Sequence, residues 1–153
     1  MLIKCLSYPR LPLQVFTGGL SSYAVTNMVL CHLLYLGLVP STTPSPAPVP
    51  GRPLGARHGN DLGVLLHSFL NHFGRTFSYS RQVVSLAGGG YVPRDRGRWR
   101  YEGGQGLLAV EDPQSPGKSI TAGSFRMQDV KEAFRAAADA LGCAMPQTGD
   151  RVG

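Results

Sequence analysis

Apolar residues recur with helical spacing in three segments of the chain. The first covers residues 21–37, where Ser21 or Ser22 can cap the helix N-terminus. The second begins at Asp61, and the third covers residues 124–141. Three helices are therefore expected, and the high apolar content of the first predicts a mostly buried helix.

The second segment has the most regular apolar stripe. Asp61 precedes it as an N-cap, and Gly74 can follow it as a left-handed C-cap. Such a stripe is typical of a helix that packs one face against a core. The predicted core positions are Leu62, Leu65, Leu66, Phe69, Leu70 and Phe73 on the second helix, Val25, Met28, Val29, His32 and Leu33 on the first, and Met127, Val130, Phe134 and Leu141 on the third.

Short runs of strand-forming residues lie between the second and third helices. Residues 81–86 are predicted to form a short strand and Gly88-Gly89-Gly90 a turn, with residues 91–92 as the continuation or the partner of that strand. Residues 107–110 are a further strand candidate. The predicted fold class is α+β, mainly helical, with a small β hairpin.

Length and charge favour one domain with an anionic partner. The chain has 153 residues, which suffices for one domain with a core. Its 15 Lys and Arg against 9 Asp and Glu give a formal net charge of +6. This charge favours polyanions such as RNA without identifying one.

Cysteine usage and hydropathy predict an intracellular protein. Cys5, Cys31 and Cys143 are odd in number and widely spaced, which predicts neither a disulfide framework nor a metal knuckle. Residues 24–39 are apolar but interrupted by polar residues and shorter than the roughly 20 residues that a membrane span needs. Prolines break the N-terminal apolar run, so a signal peptide is not expected.

Two sequence blocks carry a resemblance to a known family. The first is VFTGGLSSYAV, residues 15–25, and the second is DLGVLLHSFLNHFGRTFSYSRQVVSLAGGGYV, residues 61–92. They are followed by VEDPQSPGK and MQDVKEAF. Together these blocks resemble the topoisomerase-related-function type of non-canonical poly(A) polymerase, the catalytic subunit of TRAMP-like RNA surveillance complexes.

The resemblance implies the helical central domain of a nucleotidyltransferase. Residues 1–39 would form the first part of this domain, and residues 61–145 its PAP-associated part. Residues 40–60 are rich in proline and are expected to be a linker or insertion. Residues 146–153 are expected to be a disordered tail.

Nucleotide addition needs metal ions held by clustered carboxylates. Family members carry these carboxylates in an N-terminal palm domain, in an Asp-x-Asp pair behind a Gly-Gly-Ser turn. This sequence has no Asp-x-Asp, and Glu111-Asp112 is its only adjacent acidic pair. We expect a chain without catalytic or metal-binding residues, inactive alone, while the complete enzyme would use ATP with Mg²⁺ or Mn²⁺. A truncated product, an incomplete gene model and a degenerate paralogue all fit this expectation.

The resemblance also implies nucleotide-binding residues. Lys4 matches a family lysine that reaches the triphosphate, and Ser22 and Tyr23 match residues that hold phosphate and stack on the base. Lys118 and Ala122 stand where the family has Asn and Arg. Lys118 is kept as a nucleotide-binding candidate, but neither side chain reproduces an amide or a guanidinium, so nucleotide selectivity is left open.

An arginine-rich segment is the candidate RNA contact. Arginines that seek phosphate alternate there with aromatic residues that can stack on bases. A solvated loop is the alternative. The arginines are Arg94, Arg96, Arg98 and Arg100, interleaved with Tyr91, Trp99 and Tyr101. His67 and His72, five residues apart on the second helix, do not share a face and are predicted to be surface residues rather than metal ligands.

The expected partners are the RNA 3′ end, ATP, and an RNA helicase and zinc-knuckle proteins of a TRAMP-like complex, with no membrane. A nuclear location follows from the same resemblance. The alternative outside enzymes is a non-catalytic RNA- or protein-binding module. A uridylyltransferase is disfavoured because residues 117–126 contain no His, which that type uses near the uracil.

Overall fold

Three α-helices and one β hairpin form the part of the chain that the computed structural model describes, residues 18–40, 61–95, 99 and 107–144. The helices are α1 (Ser22–Tyr35), α2 (Leu62–Asn71) and α3 (Met127–Ala144), and a π-helical turn (His72–Thr76) directly follows α2. The strands are β1 (Gln82–Ser85) and β2 (Gly90–Pro93). The mainly helical α+β fold with a small hairpin is confirmed.

Several sequence predictions concern residues outside this part of the chain. They are Lys4, most of the linker or insertion at 40–60, three of the four candidate RNA-binding arginines, and the tail at 146–153. The three arginines are Arg96, Arg98 and Arg100.

The hairpin is antiparallel, as the sequence predicted. Val84 of β1 lies opposite Tyr91 of β2. Gly90 has a φ of +134°, a backbone conformation that favours glycine. The predicted strand at 107–110 runs beside β1, where Val110 forms a single parallel bridge with Val84. The hairpin is thus extended by one more chain segment.

Helix α1 buries one face rather than most of its surface, which corrects the prediction. Its N-cap was predicted correctly, because the Oγ of Ser21 accepts a hydrogen bond from the Ala24 amide at 3.1 Å. Val29 and Leu30 are 37% and 39% exposed, so the placement of Val29 in the core was wrong. The buried positions are Ala24, Asn27, Met28, Cys31 and His32, which face the hairpin and α2.

Helix α2 begins where the sequence predicted, but its first turns do not reach the core. The Asp61 carboxylate accepts the amide of Gly63 at 2.8 Å, which confirms the N-cap. Leu62 and Leu66 are 79% and 50% exposed, so they are not core residues. The buried residues of this helix are Phe69 and Leu70, near its C-terminal end, where Phe69 packs against Phe134 of α3.

The predicted C-cap at Gly74 is wrong. Gly74 has no positive φ, and the chain continues past it in the π-helical turn, in which the Phe77 amide donates to the His72 carbonyl at 2.8 Å. A Cβ at Gly74 would lie 2.9 Å from the Arg135 amide nitrogen of α3. Glycine is therefore needed for close packing against α3, and not for a left-handed cap.

An aromatic cluster fills the space between the helices and the hairpin. Phe73 is fully buried at its centre, with its ring centroid 5.0 Å from Phe69 and 5.1 Å from Phe77. The hydroxyl of Tyr79 donates to the Phe73 carbonyl at 2.7 Å, which holds the Tyr79 ring in place. The members of the aromatic cluster are His32, Tyr35, Phe69, His72, Phe73, Phe77, Tyr79, Tyr91 and Phe134.

His72 is part of this cluster and not a surface residue, which corrects the sequence prediction. Its ring stacks on Tyr91 with centroids 4.8 Å apart and lies 5.2 Å from the ring of His32. Burial lowers the pKa of His72 to about 4, and burial together with the neighbouring His72 lowers that of His32 to about 4. Both rings are therefore neutral at pH 7.

Candidate functional site

The N-terminus of α1 presents Ser22 and Tyr23 on the protein surface. The Ser21 cap fixes the first turn of the helix, and the Tyr23 side chain is 43% exposed. Its hydroxyl donates a hydrogen bond to Oδ1 of Asp112 at 3.1 Å. Tyr23 is thus an exposed aromatic ring held at its far end by a carboxylate.

The Gly18-Gly19 turn before α1 is attached to the start of α3. The Gly18 carbonyl accepts the Arg126 amide, and the Gly19 carbonyl accepts the Ser124 hydroxyl, both at 2.9 Å. Gly18 has a φ of +80°, and a Cβ there would lie 2.6 Å from the Phe125 ring. The two glycines let the chain approach α3 closely, which fixes where α1 begins.

A tight loop between Glu111 and Ser119 brings Lys118 next to Asp112. The Asp112 amide donates to the Lys118 carbonyl at 2.9 Å, and the Lys118 amide donates to the Ser115 carbonyl at 3.0 Å. Oδ1 of Asp112 also accepts the Gln114 amide at 2.9 Å. Hydrogen bonds therefore link the Tyr23 hydroxyl to Asp112 and Asp112 to the Lys118 backbone, although α1 and this loop are far apart in the sequence.

Glu111 anchors the same loop to the hairpin. One carboxylate oxygen accepts the Ser85 hydroxyl, and the other accepts the Gly117 amide at 2.8 Å. Gly117 has a φ of +84°, which glycine adopts readily. The carboxylate of Glu111 therefore has a structural role.

Lys118 and Ala122 border one cavity of about 410 Å³. The two positions at which this sequence differs from the family pattern therefore line the same cavity. The Lys118 side chain is exposed, and Ala122 contributes only a methyl group. The other lining residues are Arg94, Leu107, Leu108, Ala109, Ser119 and Thr121.

Arg94 is a buried structural residue, whereas the sequence suggested an RNA contact. The residue is 8% exposed, and its NH1 donates to the carbonyls of Tyr79 at 2.7 Å and Leu107 at 2.8 Å. These bonds tie the end of the hairpin to residues 107–110. These bonds occupy NH1 within the protein, and the RNA contact at Arg94 stays a prediction.

Ser22 and Tyr23 lie at the start of α1, and Tyr23 bonds to Asp112, whose amide bonds to the Lys118 carbonyl; we call the surface formed by these four residues the α1 cleft. The Asp112 carboxylate was not among the candidates from sequence. Its position in the VEDPQSPGK block was the available signal, but its partner Tyr23 is 89 residues away in the chain. Only the fold shows that the two side chains meet.

The carboxylates near the α1 cleft do not form a magnesium site. Glu111 uses both oxygens internally, and Asp112 accepts Tyr23 and Gln114. Within residues 18–40, 61–95, 99 and 107–144, no three His, Cys, Asp or Glu side chains cluster in a way that could hold a metal ion. In the same ranges, no helix is long and apolar enough to cross a bilayer.

The fold matches part of a polymerase core of the nucleotidyltransferase class. The chain superimposes on the polymerase core of TRAMP, an RNA surveillance complex, with a TM-score of 0.61 and 26% sequence identity. The match covers 82% of this chain and 36% of that chain. The likeness therefore extends over most of the helices and the hairpin described above.

Sequence comparison then identifies the family. Residues 61–118 match the family described as Cid1 family poly A polymerase. The chain is 31% identical over 141 residues to Poly(A) RNA polymerase CID14 of Cryptococcus neoformans var. neoformans, covering 92% of this chain and 17% of that protein. It is 32% identical over 124 residues to the Inactive non-canonical poly(A) RNA polymerase protein Trf4-2 of Drosophila melanogaster, covering 79% and 27%. The chain belongs to the non-canonical poly(A) polymerase family, and it spans about a fifth of the length of these relatives.

Proposed function

We propose that this chain supplies the nucleotide- and RNA-binding part of a non-canonical poly(A) polymerase that oligoadenylates RNA 3′ ends. The observation that carries the proposal is the Tyr23–Asp112 hydrogen bond with Lys118 beside it. An exposed ring, a carboxylate that orients it and a cation together match the chemistry of a purine nucleotide. Membership of the poly(A) polymerase family makes ATP the preferred candidate.

Each side chain of the α1 cleft has a distinct task in this proposal. The Tyr23 ring stacks on the purine, and Asp112 holds the ring in position. Ser22 lies in the first turn of α1, where amide groups and the helix dipole favour phosphate, and the ammonium of Lys118 offsets phosphate charge. In the complete enzyme, Mg²⁺ or Mn²⁺ would neutralise the triphosphate. The residues present do not fit that metal, so we assign it no ligand here.

The proposal also covers the partners of the chain and its location in the cell. The structural neighbour is the polymerase core of TRAMP, an RNA surveillance complex. By analogy, the chain acts in nuclear RNA surveillance together with an RNA helicase and zinc-knuckle proteins. Arg96, Arg98 and Arg100 are kept as candidate RNA contacts, since their positive charge suits the phosphate backbone. The name of the inactive Drosophila relative favours, as the second candidate, a non-catalytic binding module.

Removal of the Tyr23 ring tests the α1 cleft. We expect Tyr23→Ala to weaken ATP binding about tenfold, because loss of an aromatic ring that stacks on a base costs about 1–3 kcal/mol. Tyr23→Phe keeps the ring and loses only the hydrogen bond to Asp112, so we expect a smaller loss, about threefold. Titration calorimetry with ATP measures both, and circular dichroism confirms that the variants are folded.

Leu62→Ala is the matched surface control, because Leu62 is 79% exposed and far along the chain from the cleft residues. It should bind ATP like the wild type. If folded Tyr23→Ala also binds ATP like the wild type, the cleft is not the nucleotide site. Absence of ATP binding by the wild type itself would favour the non-catalytic module.

A further inference from the structure

A second polar groove lies at the end of α2, apart from the α1 cleft. Its volume is about 450 Å³, within the range of about 300–1,000 Å³ that is usual for ligand sites. Neither Tyr23 nor Lys118 lines it. The π-helical turn, the loop after it and the first turns of α3 form its walls. We call it the π-turn groove, and its lining residues are Arg75, Thr76, Phe77, Ser78, Tyr79, Ser80, Met127, Gln128 and Lys131.

Lys131 gives the π-turn groove an ammonium without a carboxylate partner. Its Nζ lies 5.5 Å from the centroid of the Tyr79 ring. Among the described residues, no Asp or Glu oxygen lies within 4.0 Å of it, since the ion pairs found there join Arg75 to Asp139 and Arg126 to Asp129. The Tyr79 ring is held by its buried hydroxyl bond, so the cation–π contact fixes the direction of the lysine.

Residues with hydroxyl side chains line the same groove. The groove contains the side chains of Thr76, Ser78 and Ser80, and none of their hydroxyls bonds to another described residue. The Arg75 guanidinium is held by the Asn71 amide oxygen at 3.2 Å and the Asp139 carboxylate at 2.5 Å, which keeps its charge at the rim. The groove is therefore rich in donors, and it contains no carboxylate among its lining residues.

Donors of this kind suit a phosphate group. A phosphate has several acceptor oxygens that can be shared between an ammonium and hydroxyls, whereas a carboxylate has only two oxygens. The volume is larger than a phosphate needs, which favours a phosphate that is part of a longer ligand. The net charge of +6 favours a polyanion over a single small anion.

We propose that the π-turn groove binds the sugar-phosphate backbone of single-stranded RNA, with Lys131 as the principal contact. This inference rests on the proposed function, since it adds a second RNA contact outside the α1 cleft. The buried Tyr79 ring, 7% exposed, positions Lys131 and is not available to stack on a base. Recognition in the groove is therefore independent of base sequence.

Two variants of the full chain test the groove with a fluorescein-labelled 15-nucleotide oligo(A). We expect Lys131→Ala to weaken binding about fivefold to tenfold at 50 mM salt and to lower the slope of log K against log salt by about 0.7, the value for one phosphate contact on a single strand. Ser80→Glu places a negative charge in the groove at an exposed position and should weaken binding similarly. Lys131→Arg keeps the charge and should bind within about twofold of the wild type.

Arg135→Ala is the matched control, since Arg135 is an exposed cation one turn further along α3 that does not line the groove. It removes the same charge and should have the smaller effect. If the wild type binds RNA and neither Lys131→Ala nor Ser80→Glu weakens this binding, the groove is not an RNA site, and the proposed function stays intact. A wild type that binds no RNA would overturn both. If a phosphoserine peptide binds through Lys131 and RNA does not, the ligand is a protein and the RNA proposal is wrong.

Discussion

Replacing Phe73 with alanine should destabilise the fold by about 3–5 kcal/mol, the usual cost of deleting a buried aromatic ring. Phe73 is fully buried, and its ring touches aromatic residues of α2, α3 and the hairpin. The deletion leaves a cavity at the point where these elements meet. Because domains of this size are stable by only about 5–15 kcal/mol, the variant should be close to unfolding. Urea denaturation followed by circular dichroism measures the change.

Phe125→Ala deletes the same atoms from a side chain that is 69% exposed. We expect it to cost less than about 1 kcal/mol, since little apolar surface returns to water. Equal losses for the two variants would show that the aromatic cluster is not the core of the fold.

Acid should destabilise the protein through His32 and His72. Their pKa values are lowered from 6.5 to about 4 in the folded chain. As the pH falls, these histidines therefore bind protons at a higher pH in the unfolded chain than in the folded chain. The stability is fully present above pH 6.5 and is lost progressively between pH 6.5 and pH 4. At pH 5 each histidine should account for a loss of about 2 kcal/mol.

The hydrogen-bond geometry of His32 and His72 also favours neutral rings in the folded chain. His32 bonds through Nδ1 to the Tyr91 hydroxyl and through Nε2 to the Ser68 hydroxyl, both at 3.0 Å, which a neutral ring can do. Nε2 of His72 is buried and has no hydrogen-bond partner among the described residues. Burial raises the pKa values of the nearby Cys31 thiol and Tyr91 hydroxyl, so both groups are neutral between pH 4 and pH 7.

His72→Phe separates this effect from other titrations. Phenylalanine keeps a ring against Tyr91 and removes the unpaired nitrogen, so we expect unchanged or higher stability at pH 7.5 and a smaller loss between pH 7.5 and pH 5. His67→Gln, in α2 and outside the aromatic cluster, is the control and should keep the full pH dependence. Urea denaturation at both pH values measures each variant. A His72→Phe variant that loses as much stability at pH 5 as the wild type would rule out His72 as a source.

Local sequence signals were sufficient for the N-termini of α1 and α2 and for the hairpin. Ser21 and Asp61 cap their helices because a side-chain oxygen can reach amides two or three residues ahead, which requires no tertiary contact. The Gly88-Gly89-Gly90 turn was predictable for the same reason. The apolar face of α3 was also predicted correctly, with Met127, Val130 and Phe134 buried.

The errors concern features that depend on what packs against each element. Leu62 and Leu66 continue the helical stripe, yet both side chains are exposed in the fold. Gly74 was interpreted as a cap because its close approach to α3 is not visible in sequence. His72 was interpreted as a surface residue, yet its ring packs against Tyr91, which is distant in the chain.

The candidate site was predictable to a similar extent. The family motif indicated Ser22 and Tyr23, and the position directly after Gly117 indicated Lys118. Asp112 was missed because its role follows from a contact between α1 and a distant loop. A motif therefore indicates which residues matter, while the fold shows which of them meet.

Photolabelling with 8-azido-ATP tests the nucleotide cleft most directly. After irradiation and proteolysis, mass spectrometry should find the label on the peptide that contains Tyr23 or on the one that contains Asp112 and Lys118, and excess ATP should suppress it. The label could instead be suppressed by ATP and lie only on other peptides, such as those of the π-turn groove. This result would contradict the assignment of the α1 cleft as the nucleotide site.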